Sequence, residues 1–259
     1  HGQTGGRSAP TVWNSAFSSV QFWDGRAATL EDQAKGPVTN PIEMGMSELE
    51  EAMNRVRDIP GYRPYFEKAF GGNDPMTVDN AAKAVAAFER SLITPNSPYD
   101  RYVKGDEGAM SKQQVRGMAT FAEIGCTGCH SGPAFNGPAL DAGTGFYMKF
   151  PTFSDNDYAR NYKFTDDGGR SEVTGKEADR SFWKVPTLRN IEATAPYFHN
   201  GSVKTLPEAV KVMAKTQLNL DLTAQQTADI TAFLSALTGV FPEQPMPRLP
   251  LTSGRTIVQ

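Results

Sequence analysis

Gly125-Cys126-Thr127-Gly128-Cys129-His130 is the stretch on which the reading of this chain turns. Cys126 and Cys129 are its only cysteines, and His130 is one of three histidines. Two thiols three positions apart lie on one side of a helical turn, where they can add across the two vinyl groups of one haem. The adjacent imidazole then lies beneath the iron as proximal ligand. This is the spacing of c-type haem attachment. The same residues admit a zinc half-site or a thioredoxin-like redox pair. Zinc asks for a second pair of ligands, and only His1 and His199 remain. A redox pair asks for a preceding strand in a βαβ unit.

Outward from the motif the pattern is helical. Ser111 and Gln114 form a capping box ahead of Val115, Met118, Ala119 and Ala122, and Thr223 with Gln226 repeats it before Ile230, Phe233, Leu234 and Leu237. Gly239 is the expected C′ residue of that last helix. Ser47 with Glu50 reads as a third box opening a helix up to Ile59, and Thr77 caps a helix that stops at Pro95. Strand-like alternation is nearly absent. The expected fold is all-α: two helical units, residues 1–100 and 101–259 with a C-terminal tail, joined by the linker 94–108. Long Gly- and Pro-rich stretches at 131–175 and 240–259 are uncommon in a compact domain unless they wrap something, and a cofactor would supply that something.

Composition narrows the function. With 259 residues the chain can form one large domain or two ordinary ones. The 26 basic and 29 acidic residues are mixed along it, so no one-signed field exists to grip a phosphate backbone, and nucleic acid is excluded as a partner. Mean hydropathy is -0.46, and no apolar run approaches the roughly 18 residues that span a bilayer. Two cysteines are too few for a disulfide scaffold. The chain opens on His1 with no leader before it, so it reads as processed, truncated or incomplete.

An electron-transferring c haem needs a sixth ligand, and methionine raises its potential. Nine methionines compete. Met213, in a helix expected to be capped by Thr205, has the spacing of a core residue, and spacing does not choose it over Met148 or Met118. Trp23, Gln33 and Glu43 stand in a polar-aromatic N-terminal stretch whose plain reading is a buried indole, an Asp24–Arg26 turn and two solvated polar groups.

Taken together, Ala9-Pro10-Thr11-Val12, QFWDGRA at 21–27, QAKGP at 33–37, Glu43-Met44, GCTGCHSG at 125–132 and LRNIEATAPYFHNG at 188–201 resemble the bacterial di-haem cytochrome c peroxidases. The likeness runs from His1 to about Leu249. It implies a periplasmic protein of two cytochrome c-like domains, each with a covalent haem c, reducing hydrogen peroxide to water with electrons from a small cytochrome c or cupredoxin, often as a homodimer. It makes Cys126, Cys129, His130 and Met213 the attachment and axial ligands of the electron-entry haem. Trp23 falls between the haems, Gln33 and Glu43 over the peroxidatic haem, and His1 on that haem's resting-state axial ligand. Thr194 and Pro196 fall on backbone ligands of an interdomain calcium, with Ser8 where the family commonly has Asn. His199 has the plain role of a hydrogen bond to a haem propionate. The second CxxCH would precede His1, so one attachment site is visible where two haems are expected, and one residue is missing between His1 and Pro10.

Within that resemblance, Glu43 is the expected proton shuttle and Gln33, which cannot titrate, a hydrogen-bonding partner of bound peroxide. Two other functions fit less of the sequence. A MauG-like oxidase acting on a partner protein would carry Tyr in place of Met213. A plain electron-carrying cytochrome c is what a single CxxCH literally supports.

Overall fold

The computed structural model describes residues 2–245, 248 and 250. His1 and the rest of the tail lie outside the described residues. The α-helices among them are α1 (Leu30–Thr39), α2 (Leu49–Arg57), α3 (Arg63–Phe70), α4 (Val78–Ser91), α5 (Pro98–Val103), α6 (Lys112–Glu123), α7 (Asp157–Asn161), α8 (Ser171–Thr174), α9 (Leu206–Leu218) and α10 (Ala224–Ser235). Two short strands, β1 (Tyr147–Lys149) and β2 (Phe182–Lys184), pair antiparallel with Met148 opposite Trp183. The all-α reading holds, with this small hairpin added.

Local signals translate directly. Ser111–Gln114 and Thr223–Gln226 form reciprocal capping boxes at the starts of α6 and α10, and Thr77 accepts from the Asn80 N–H at the start of α4. Other expected caps differ. Ser47 bonds Glu51 rather than Glu50, and α2 starts one turn position later, after Glu48. Thr205 precedes α9 without a side-chain cap, because Pro207 in the first turn already removes one of the orphan donors. Gly239 is not a helix cap. A Cβ there would lie 2.1 Å from the Thr94 carbonyl, so the glycine is required by a close backbone approach. The linker 94–108 is also ordered: it carries α5, opened by a Ser97–Asp100 capping box, and Tyr99 N–H donates to Ala236 O at 3.0 Å.

The main core gathers Phe121 of α6, Val210 and Val212 of α9, and Ile230, Phe233 and Leu237 in and after α10, with Phe135, Phe150, Phe164 and Trp183 from the long connection. Helices α6 and α10 cross closely at Gly117, whose Cβ would overlap the Asp229 carbonyl, and Phe121 meets Phe233 at 5.3 Å. Arg116 bonds Asp229 across the same crossing. This rigid crossing aims the turn that follows α6. A smaller core of Met53, Phe66 and Met76 serves α2 to α4.

The first residues do not stay with that smaller core. Arg7 forms ion pairs with Asp24, Asp167 and Glu172, the Ser8 N–H donates to His199 O at 2.7 Å, and Asn14 bonds Thr94, which bonds Asn190. The strip 7–24 is thereby laid along the larger core.

Candidate functional site

Helix α6 runs out at Ile124, and Gly125 turns the chain at φ 96, a left-handed conformation that favours glycine. A 3-10 turn, Cys126–Gly128, follows, and the His130 N–H donates to Cys126 O at 3.0 Å. Both thiols are thus set half-buried on one compact turn, with His130 buried beside them. Burial pushes the Cys126 thiol up to about 12 and raises Cys129 as well. These are protonated sulfurs, unlike the low-pKa thiolates of redox or metal sites. Among the described residues, no group of three or more His, Cys, Asp and Glu is placed to hold a metal ion.

His130 Nδ1 lies 2.9 Å from the Phe135 carbonyl. A carbonyl only accepts, so Nδ1 carries the proton and Nε2 keeps its lone pair for a metal. Burial lowers the pKa of the ring, which favours that neutral form.

Cys126, Cys129 and His130 border an apolar cavity of about 280 Å³, together with Met213, Trp23 and His199. Met148 also reaches it, while Met118 packs into the core, so geometry removes one of the three methionines and leaves two. His199 stacks on Trp183 at 4.1 Å and its Nε2 is buried without a partner. Burial takes its pKa down to about 4. A buried polar nitrogen with nothing to bond, on the wall of an apolar cavity, is the signature of a missing polar ligand. Haem satisfies every part of this set: two thiols for its vinyl groups, a lone-pair imidazole and a thioether for its iron, apolar walls for its ring and a hydrogen-bond donor for its periphery.

Ser8, Thr194 and Pro196 border the same cavity, and Ser8 and Pro196 both approach Gly201. The Trp23 indole donates to Ser8 O at 2.8 Å. Gln33, half-buried on α1, and Glu43, exposed in the turn after it, border neither this cavity nor its neighbour. The structure therefore gathers most of the expected site residues around the CxxCH, while Gln33 and Glu43 line neither cavity. Trp183 and Lys184 also line the cavity and Arg7 braces it; the first two stand in the aromatic-basic run Phe182-Trp183-Lys184, whereas Arg7, between Gly6 and Ser8, carries no local signal.

Along its length the chain is 42% identical over 255 residues to a cytochrome c551 peroxidase from Nitrosomonas europaea, covering 98% of this chain and 72% of the relative. The chain belongs to the di-haem cytochrome c peroxidase family. The family model for di-haem cytochrome c peroxidase matches residues 1–108, and a RoxA-like, cytochrome c-like model matches 183–217. More distant is a methylamine utilization protein MauG from Methylophilus methylotrophus, 34% identical over 247 residues, covering 90% of this chain and 68% of that one. In structure the chain is similar to a MauG-like protein associated with microbial copper homeostasis, with a TM-score of 0.77 and 27% identity over 91% of this chain and 76% of that chain. As a di-haem cytochrome c peroxidase it is a haem c oxidoreductase with peroxidase activity. No helix among the described residues is long and apolar enough to cross a membrane.

Proposed function

We propose that the chain works in the periplasm on hydrogen peroxide, taking electrons one at a time from a small cytochrome c or cupredoxin. The reaction is H2O2 with two protons and two electrons giving two waters. Bound haem c supplies electron storage at the Cys126–Cys129 site and peroxide reduction at a second site.

The observation that carries this reading is the convergence of Cys126, Cys129, His130, Met213, Trp23 and His199 on one cavity. His130 Nε2 and the Met213 sulfur would hold the haem iron, Met213 being the residue for which a MauG-like oxidase would have Tyr. His199 hydrogen-bonds a propionate. Trp23, tied to Ser8, stands between this site and the second one, and residues 1–100 and 101–259 divide the labour as two units.

At the peroxidatic site Glu43 and Gln33 are the working pair. Peroxide must lose a proton from one oxygen and gain one on the other before water leaves. An exposed carboxylate can take the first proton and return it. The Gln33 amide both donates and accepts, so it can hold peroxide without competing for the proton. His1, beyond the described residues, would hold the iron of that haem in the resting state. A homodimer is the proposed assembly.

Calcium is proposed between Ser8, Thr194 and Pro196. Those residues supply neutral oxygens and no carboxylate, a donor set that fits a weakly held ion completed by waters.

The test is Glu43→Gln in the full-length enzyme. The expected outcome is loss of peroxide turnover with both haem absorption spectra intact. Normal turnover by that variant would remove Glu43 from the mechanism.

A further inference from the structure

Lys184 stands at the end of β2, where two cavities meet. It borders the cavity of Cys126, Cys129 and His130, and a neighbouring one of about 600 Å³ whose wall includes Arg189 and Asp100. Its backbone N–H donates to Trp23 O at 2.8 Å and its Cα pairs with Tyr147, so the hairpin and the Trp23 segment fix where the side chain begins.

The other half-buried cations lining or bracing this region are neutralised. Arg7 is paired with Asp24 and Asp167, and Arg189 with Asp100 at 2.8 Å. Lys184 has no such partner among the described residues. Burial is the one influence on its ammonium, and it pulls the pKa down to about 8. Lys184 is half-buried, and a cation drawn even partly out of water is costly unless a counter-ion completes it. The counter-ion has to arrive with whatever fills the cavity. The cavity walls are mainly apolar, and His199, kept neutral by burial, offers a hydrogen bond but no charge. Haem brings carboxylates on its propionate arms and no other anionic group.

We propose that Lys184 is the anion site for the haem attached at Cys126 and Cys129: its ammonium binds a propionate carboxylate and thereby holds that haem's reduction potential up. The electrostatics are direct. Reduction takes one positive charge from the iron, so a carboxylate left uncompensated nearby favours the oxidised state, and a cation that neutralises the carboxylate favours the reduced one. Lys184 is a positioning and tuning residue, with no part in bond making. The inference rests on haem attachment at Cys126 and Cys129.

The experiment is a spectroelectrochemical titration of the full-length holoenzyme at neutral pH, native against Lys184→Met and Lys184→Arg, following the low-spin Met-ligated band. Lys184→Met should shift the equilibrium of this haem towards the oxidised form by about tenfold, which is about 59 mV for one electron. Lys184→Arg should recover most of the shift. If Lys184→Met does not accumulate, Lys184→Gln reads the same loss of charge. An unmoved potential, or a shift confined to the second haem, which would put the carboxylate in the neighbouring cavity, overturns the proposal. A haem count on the native sample separates the two levels: no covalent haem defeats the proposed function itself, whereas bound haem of unchanged potential defeats only the role of Lys184.

Discussion

The Trp23 indole N–H donates to the Ser8 carbonyl at 2.8 Å, and the amide of the same Ser8 donates to the His199 carbonyl at 2.7 Å. One residue thus fastens both the proposed electron conduit and the buried histidine of the cavity wall. The orientation of the indole is set by a backbone atom, which cannot choose another rotamer.

Trp23→Phe keeps an aromatic ring and deletes that bond. It should cost about 1 kcal/mol of stability, seen as a small fall in Tm. Haem content should stay constant while peroxide turnover with a reduced cytochrome donor falls. Unchanged turnover would show that electrons pass elsewhere.

Arg7 draws the N-terminal strip onto the larger core through Asp24 and Asp167, with its guanidinium 5.0 Å from the Trp183 ring. Burial alone would raise the pKa of Asp167, but the hydrogen bond and charge of Arg7, with the Gly169 N–H, outweigh it and hold the carboxyl below its ordinary value. A lowered folded pKa contributes stability that is present above the unfolded value of about 3.9 and is lost as pH falls through the folded one. Arg7→Met should therefore destabilise by roughly 1–3 kcal/mol at neutral pH, less than the loss for a fully buried pair because Arg7 and Asp167 keep some solvent contact and buried Asp24 retains Arg26. Denaturant unfolding at pH 7 and pH 3 should show the gap between native and variant closing in acid. A gap of equal size at both values would mean that packing, not charge, is what Arg7 provides.

At the α6–α10 crossing, Gly117 leaves no room for a side chain. Gly117→Val should cost about 1–3 kcal/mol as the helices are forced apart. Because α6 aims the Cys126 turn, haem incorporation during expression should drop with it, read as the ratio of haem absorbance to protein. Full incorporation in a clearly destabilised variant would separate the crossing from the placement of the thiols.

What could be read from sequence was local. The capping boxes at Ser111 and Thr223 span four residues and obey short-range geometry, and the CxxCH carries its chemistry within five positions. The hairpin leaves no trace in the sequence because 32 residues separate β1 from β2 and each strand has three residues, too short for a period to show. Gly239 resembles a helix C′ residue for a related reason: its partner, Thr94, is distant in sequence. Spacing put Met213 on a helix but could not say which face meets the cavity. Nothing in the sequence around Lys184 announces its place, because only the fold sets it between two cavities with no ion pair among the described residues.

Calcium held by neutral oxygens of Ser8, Thr194 and Pro196 should bind weakly and report through Trp23, which bonds Ser8. Titrating calcium into chelator-treated enzyme should change tryptophan fluorescence, and Ser8→Asn should tighten the response by adding a side-chain carbonyl ligand. No change in either protein would dismiss the ion from this site.

The most direct measurement is mass spectrometry of the purified enzyme after proteolysis, paired with its absorption spectrum. The peptide holding residues 126–130 should carry one haem, added through both sulfurs, and the intact protein should be red. A colourless protein, or a 126–130 peptide with free thiols, bound zinc or a disulfide, would contradict the account at its root.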